Sequence, residues 1–246
     1  PMFDAWSATH FSLQQLRDFG LDPTDPAAIS AIALVRENVR WEHADEPYFE
    51  GETEPCINGI ALAVGAYFEQ DSAPIVTRLL ADQLPDGGWN CWAEDGATVS
   101  SFHSTITALE GLLAWEQKHQ PSPEITQARI RGEEYLLQRG LLNRRSTGAP
   151  VDPRFGMLSY PTRWFYDVLW GLDYMRRAHP VADPRCAAAI DLLRSKQDAL
   201  GRWPLENYHE GPVLFSFGDY EGDPSRWVTL RALRVLRWWD AARDAS

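Results

Sequence analysis

Residues Arg78 to Trp115 read RLLADQLPDGGWNCWAEDGATVSSFHSTITALEGLLAW, and the rest of the chain is interpreted from this run. A striped helix ends near Leu79 and Leu80. A loop follows that carries Gln83, the Asp86-Gly87-Gly88 turn, Trp89 and Cys91, and a more apolar helix opens just before His103. Asp-Gly-Gly supplies the positive-φ positions that a tight reversal needs. The rings of Trp89 and Trp92 are large enough to demand burial. Helix, Gln, Gly-x-Trp turn and apolar helix together form one hairpin unit.

The unit recurs in worn copies. Ile190 to Asn207 (IDLLRSKQDALGRWPLEN) repeats the Leu pair, Gln197, the Gly201-x-Trp203 turn and an acidic loop. Glu133 to Leu142 keeps Leu136-Leu137 without the Trp, and Ile32 to Trp41 keeps the Trp alone. Trp41 and Trp89 are 48 residues apart, and Trp89 and Trp203 are 114 apart, or twice 57. A period of this size predicts repeated helical hairpins.

The helices after the turns agree better than the turns do. CINGIALAVGAYF (Cys56 to Phe68) superposes on HSTITALEGLLAW (His103 to Trp115) without a gap, which makes Cys56 and His103 equivalent, 47 residues apart. Arg163 to Met175 and Arg226 to Trp239 read as two more such helices, each opening on Arg-Trp, and Trp6 to Phe19 reads as a fifth. Of these, Ile57 to Phe68 is apolar nearly all round. The intervening ones carry a single stripe, Ile75/Val76/Leu79/Leu80 in one and Ile190/Leu192/Leu193 in another. A helix apolar on every side is buried on every side, whereas a striped one faces water. The alternation predicts an inner and an outer ring of helices; an open solenoid of helix pairs has a similar period.

Gln-x-x-Asp-Gly-Gly-Trp at the mouth of an inner helix resembles the QW repeat of squalene and oxidosqualene cyclases. The hairpin order over nearly the whole chain is similar to the wider α/α-toroid superfamily that includes protein prenyltransferase β subunits. More narrowly, the sequence resembles bacterial proteins labelled prenyltransferase-like or squalene-cyclase-like. The resemblance implies an all-α toroid, or barrel, of helical hairpins in one domain over residues 1–246, with a terpenoid-cyclase-like or transferase activity on an apolar, isoprenoid small molecule. One departure limits it. No Asp-x-Asp-Asp run exists for alkene protonation, Asp219-Tyr-Glu-Gly-Asp223 being the nearest, so a typical squalene cyclase is not expected.

Composition sets the remaining bounds. Thirty-five acidic against 23 basic residues give a net charge of −12, which disfavours nucleic acid as a partner because phosphate binding needs a basic stripe. Three Cys without a Cys-x-x-Cys form no disulfide framework, so a reducing, cytoplasmic setting is expected. No apolar run reaches the ~20 residues of a membrane span, and nothing reads as a signal peptide. Neither a Walker loop, nor a dinucleotide Gly-rich turn, nor an Asp-Asp-x-x-Asp is present, so no nucleotide cofactor is expected. Trp6 to Phe19 lacks an outer partner, from which an earlier natural start or one incomplete hairpin is expected. Five inner helices would leave a gap in a ring, which either a second copy in a homo-oligomer or a missing N-terminal hairpin would fill.

Chemistry is expected where inner helices begin. Cys56 and His103 hold equivalent positions and Cys91 lies in the turn leading to His103; thiolate and imidazole are zinc ligands, and three of them leave one coordination position open. Water, Asp86 and Glu94 are alternatives for the fourth. Related toroids hold zinc with Cys and His near this rim, as the resemblance implies. His43 to Pro55 (HADEPYFEGETEP) is an acidic loop that either binds a cation or is only solvated. Arg144 to Pro161 is either a lid or a connection.

A second constellation joins Arg163, Trp164, Arg226 and Trp227 as a clamp for an anionic group, with Asp167, Tyr166, Glu206 and His209 as acid and base candidates. The alternative is that these arginines pair with acidic loops and only hold the fold together. Three functional classes stand at this point: a zinc-assisted transferase or cyclase, a toroid that binds a lipid or small molecule without reacting on it, and an interaction scaffold.

Overall fold

The computed structural model describes residues 6–43, 45–120 and 122–244. They are mostly helical. The contacts divide the chain into two compact units, Pro1–Tyr135 and Leu136–Ser246, each described by itself.

The first unit contains α1 (Thr9–Asp18), α2 (Pro26–Asn38), α3 (Pro55–Tyr67), α4 (Ala73–Ala81), α5 (Phe102–Lys118) and nearly all of α6 (Pro123–Leu137). α3 and α5 form its centre. Every α3 residue from Pro55 to Ala66 is buried, as is α5 from Phe102 to Leu113 apart from half-buried His103. In contrast, α2 buries only Ala28, Ile32 and Val35, and α4 only Ile75, Val76 and Leu79. The expected distinction between encased and striped helices is therefore present for α3 and α5 against α2 and α4, whereas α1, read as an inner helix, buries only His10, Phe11, Leu13 and Gln14. α3 and α5 approach each other through glycine: a Cβ on Gly59 would stand 2.1 Å from the Thr107 carbonyl oxygen, and one on Gly111 2.6 Å from the Gly59 oxygen.

The second unit contains α7 (Val168–Ala178), α8 (Ala187–Ser195), α9 (Arg226–Asp244) and a two-residue antiparallel pair, β1 (Trp203–Pro204) with β2 (Pro224–Ser225). α8 buries Ala189, Ile190 and Leu193, close to its expected stripe. The segment 144–161 packs through buried Phe155 and Leu158, and the Leu158 amide and carbonyl both bond to Glu206.

The Gly-x-Trp turns are alike at the level of single atoms. Trp89 Nε1 donates to the Leu79 carbonyl and Trp203 Nε1 to the Leu193 carbonyl, each at 2.7 Å and ten residues back. The two indoles are fully buried. The amide of Trp89 donates to Thr105 Oγ1 at 3.1 Å and that of Trp203 to Thr229 Oγ1 at 3.0 Å. Each Thr lies four residues after a helix-capping serine: Ser101 Oγ accepts from the Ser104 amide, and Ser225 Oγ from the Val228 amide. α3 uses the same position differently. Asn58, four residues after its N-cap Glu54, accepts from the Glu52 amide and donates to the Glu52 carbonyl, both at 2.7 Å. Gln83 Nε2 closes its own turn on the Gly87 carbonyl and reaches the Ala128 carbonyl on α6.

Two helix starts differ from the sequence reading. α1 begins at Thr9 rather than Trp6. α7 begins at Val168, because Asp167 caps it by accepting from the Trp170 amide at 2.8 Å, so Arg163, Trp164, Tyr166 and Asp167 all precede the helix. α2 is capped by Asp25, which accepts from the amides of Ala27 and Ala28, and Pro26 takes its first turn.

His10 on α1 is buried with its Nδ1 against the Tyr48 hydroxyl at 2.9 Å, while Nε2 has no partner among the described residues. Burial, aided by the charge of Arg17, lowers its pKa from 6.5 to about 3. The folded state thus holds His10 neutral where the unfolded chain protonates it, so stability is lost as pH falls below the unfolded value, at about 1.4 kcal/mol per pH unit. In denaturant titrations at pH 7 and pH 5, His10→Asn is expected to gain about 2 kcal/mol on wild type over that interval. Parallel pH dependences of the two proteins would refute the assignment.

Candidate metal site

The site grows from the segment that leads into α3. Arg40 and Pro47 bridge across its first turn, Trp41 Nε1 donates to the Tyr48 carbonyl at 3.0 Å, and the Trp41 and Tyr48 rings stack. Tyr48 and Phe49 are buried, so this acidic stretch is anchored rather than freely solvated. Gly51 has φ +98°, and a Cβ there would meet Asn58 Oδ1 at 3.0 Å, so the chain can turn toward α3 only with glycine.

Glu52, next in the chain, is 2% exposed. One of its carboxylate oxygens pairs with His43 Nδ1; the other accepts from the Glu54 amide at 2.6 Å and from Thr53 Oγ1 at 3.2 Å. A carboxylate only accepts, so Nδ1 of His43 carries the hydrogen. The hydrogen bond and charge of Glu52 raise the pKa of His43.

Glu54 and Cys56 flank Pro55 at the start of α3. Cys91 reaches the same place from the Gly-Gly-Trp loop. Its amide donates to Ser104 Oγ at 3.1 Å, and its sulfur accepts from Ser104 Oγ at 3.2 Å and from the Cys56 amide at 3.3 Å. The Cys56 thiol faces Glu54 at 3.6 Å. Among the described residues, the ligand atoms of Glu54, Cys56 and Cys91 lie within 4.8 Å of one another, and those of His43, Glu52 and Glu54 form a second group at the same limit. The groups share Glu54.

The electrostatics of this place favour a cation. The hydrogen bond of its S–H to Cys91, burial, and the charges of Cys91 and Glu54 hold the Cys56 thiol well above its ordinary pKa. Burial, followed by the charge of Glu52, raises the pKa of Glu54. Among the described residues, no Lys or Arg forms an ion pair with Glu52 or Glu54. Two thiols and a carboxylate crowded without a Lys or Arg partner match the ligand chemistry of zinc.

Of the three expected ligands, Cys56 and Cys91 come together and His103 belongs to neither group. Cys56 and His103 do occupy the same place on their helices, two residues after the caps Glu54 and Ser101. Equivalence along two helices did not make them neighbours in one cluster. The residue that joins the thiols is Glu54, and the signal for it was the Glu-x-Cys spacing across Pro55. Asp86 is engaged by the Ser100 amide at 3.0 Å and by its hydroxyl, and Glu94 is exposed.

Three of the expected acid and base residues of the second unit, Asp167, Tyr166 and Glu206, bond to backbone groups. Asp167, 1% exposed, caps α7 with one oxygen and takes the amide and hydroxyl of Ser159 with the other. Tyr166 donates to the Leu141 carbonyl at 2.7 Å. Glu206 pairs with Lys196 and accepts from the Leu158 amide. The His209 ring stacks on Phe165, which stacks on Trp164, while Trp227 stacks on Tyr160. Arg163 is buried at φ 57°, and burial lowers its pKa to about 10; Arg226 opens α9 in solvent. The two Arg-Trp pairs are thus not equivalent: one precedes its helix and the other begins it.

No helix among the described residues is long and apolar enough to cross a membrane. Compared with protein-family models, characterised proteins and solved structures, the chain gives no match. The chain is therefore characterised by its own features: a mostly helical protein with repeated Gly-x-Trp turns and a thiol–carboxylate cluster at the start of a buried helix.

Proposed function

We propose that this protein is a zinc-dependent enzyme, a transferase or cyclase acting on an apolar, isoprenoid-like small molecule, with Glu54, Cys56 and Cys91 holding the metal. The observation that carries the reading is the meeting of two thiols and a carboxylate from separate segments of the chain at the start of α3. The resemblance to α/α toroids supports the substrate class. Zinc supplies Lewis acidity and keeps a thiol in its thiolate form at neutral pH. The chain's own residues do the positioning: Ser104 fixes Cys91 from two sides, and Glu52 fixes Glu54 through its amide.

Elemental analysis tests the proposal. Wild type is expected to carry one zinc per chain, Cys91→Ala and Glu54→Gln to lose it while remaining folded, and His103→Ala to keep it. Loss in His103→Ala at unchanged folding would return His103 to the ligand set in place of Glu54. Wild type without metal would sink the zinc reading and leave a metal-free toroid that binds its ligand without reaction.

A further inference from the structure

We infer that His43 is the fourth ligand of this metal site, set in place by Glu52. The inference rests on the metal reading above and adds to it a residue from the loop that precedes α3.

Glu54 belongs to both clusters, so a ligand atom of His43 lies within 4.8 Å of a Glu54 carboxylate oxygen, although His43 is not grouped with the two thiols and has to close on them when the metal binds. Glu52, although in the second group, is committed elsewhere: one oxygen takes His43 and the other takes the Glu54 amide and Thr53. It therefore acts as a positioning residue. Because its carboxylate takes the hydrogen on Nδ1, Nε2 is the nitrogen left for a metal, which would take the place of any proton there. A carboxylate behind a ligating histidine fixes both tautomer and ring orientation. The backbone is anchored on either side of the pair, by Trp41 to Tyr48 and by Asn58 to Glu52. The His43 side chain is itself 60% exposed, so a small closing movement of the His43–Glu52 pair toward the thiols does not repack a core.

The completed set is two sulfurs, one oxygen and one nitrogen, a tetrahedral complement of the kind zinc takes. Its members are unequal. Cys56 is buried and Cys91 and Glu54 are half-buried, whereas His43 stands in solvent. His43 would then be the most accessible of the four ligands.

Cobalt binding to wild type, His43→Ala and Glu52→Gln, with zinc affinity measured by chelator competition, tests this. His43 is exposed, so its variant is expected to fold as wild type does. The expected result is one cobalt per chain in all three, a shifted ligand-field spectrum for His43→Ala, and zinc binding weakened about 10- to 100-fold in Glu52→Gln and at least as much in His43→Ala. Wild-type spectrum and affinity in His43→Ala would overturn the inference and leave Glu54, Cys56 and Cys91 as the ligands. Wild type that binds no metal would overturn both the inference and the reading beneath it.

Discussion

Replacing Trp89 by alanine is expected to destabilise the first unit by about 3–5 kcal/mol, the range for emptying a buried aromatic site. The indole is fully buried, and its Nε1 occupies the carbonyl of Leu79 at the end of α4. Removing it leaves a cavity and an unpaired carbonyl together. Gly132 on α6 is shaped around the ring, since a Cβ there would lie 2.7 Å from Trp89 Cζ3. Trp203→Ala is expected to cost the second unit a similar amount, because Trp203 makes the same bond to Leu193 and is as deeply buried. Trp92 supplies the control. It is 73% exposed, and its alanine variant is expected to stay within about 0.5 kcal/mol of wild type. Denaturant midpoints would show the contrast; a Trp92→Ala effect as large as the other two would contradict the role of burial, and unequal effects of Trp89→Ala and Trp203→Ala would contradict their equivalence.

Gly59→Ala is expected to be as damaging although it adds only one methyl group. The new Cβ would lie 2.1 Å from the Thr107 oxygen, 2.2 Å from its carbonyl carbon and 2.5 Å from the Ala108 nitrogen, all of them backbone atoms of α5. A side chain can rotate away from such a clash, but a helix backbone cannot. α3 and α5 must separate, and the expected cost is about 3 kcal/mol or more, at or above the top of the usual range for overpacking. Gly156→Ala, whose Cβ would meet only Leu192 Cδ2 at 3.6 Å, is expected to be nearly neutral. Thermal unfolding of the two variants beside wild type checks this, and a near-neutral Gly59→Ala would contradict the close approach of the helices.

These two effects also mark what the sequence made legible. The burial of α3 and α5, the stripes of α4 and α8, and the pairing of the Trp89 and Trp203 turns depend on local patterns of apolar residues, capping and glycine, which the sequence displays directly. The second constellation misled for a related reason. Arg163-Trp164 and Arg226-Trp227 look alike as residues, yet helix starts are set by capping, and Asp167 and Ser225 are the caps. Aligned on its caps, the chain places Val168, not Arg163, beside Arg226. Asp167, Tyr166 and Glu206 then prove to be groups that satisfy buried or turning backbone.

The candidate metal site was half legible. Cys56 and Cys91 stood out by residue type. His103 seemed to complete them because it shares a helical position with Cys56, but helix register says nothing about which loop reaches which helix. The loop carrying Cys91 reaches the start of α3, where Glu54 waits. Glu54, Glu52 and His43 lay in a stretch whose acidity resembled a solvated loop. What distinguishes it is the anchoring of Tyr48 and Phe49 in the core and the use of Asn58 to hold Glu52, which are contacts between segments rather than patterns within one.

The most direct test of the metal assignment is a cobalt titration of the reduced protein followed through thiolate-to-metal charge-transfer absorption. The prediction is saturation at one equivalent per chain, with an intensity that corresponds to two thiolate ligands and disappears in Cys91→Ala. Cobalt that binds without charge-transfer absorption, or does not bind, would contradict a site built on Cys56 and Cys91.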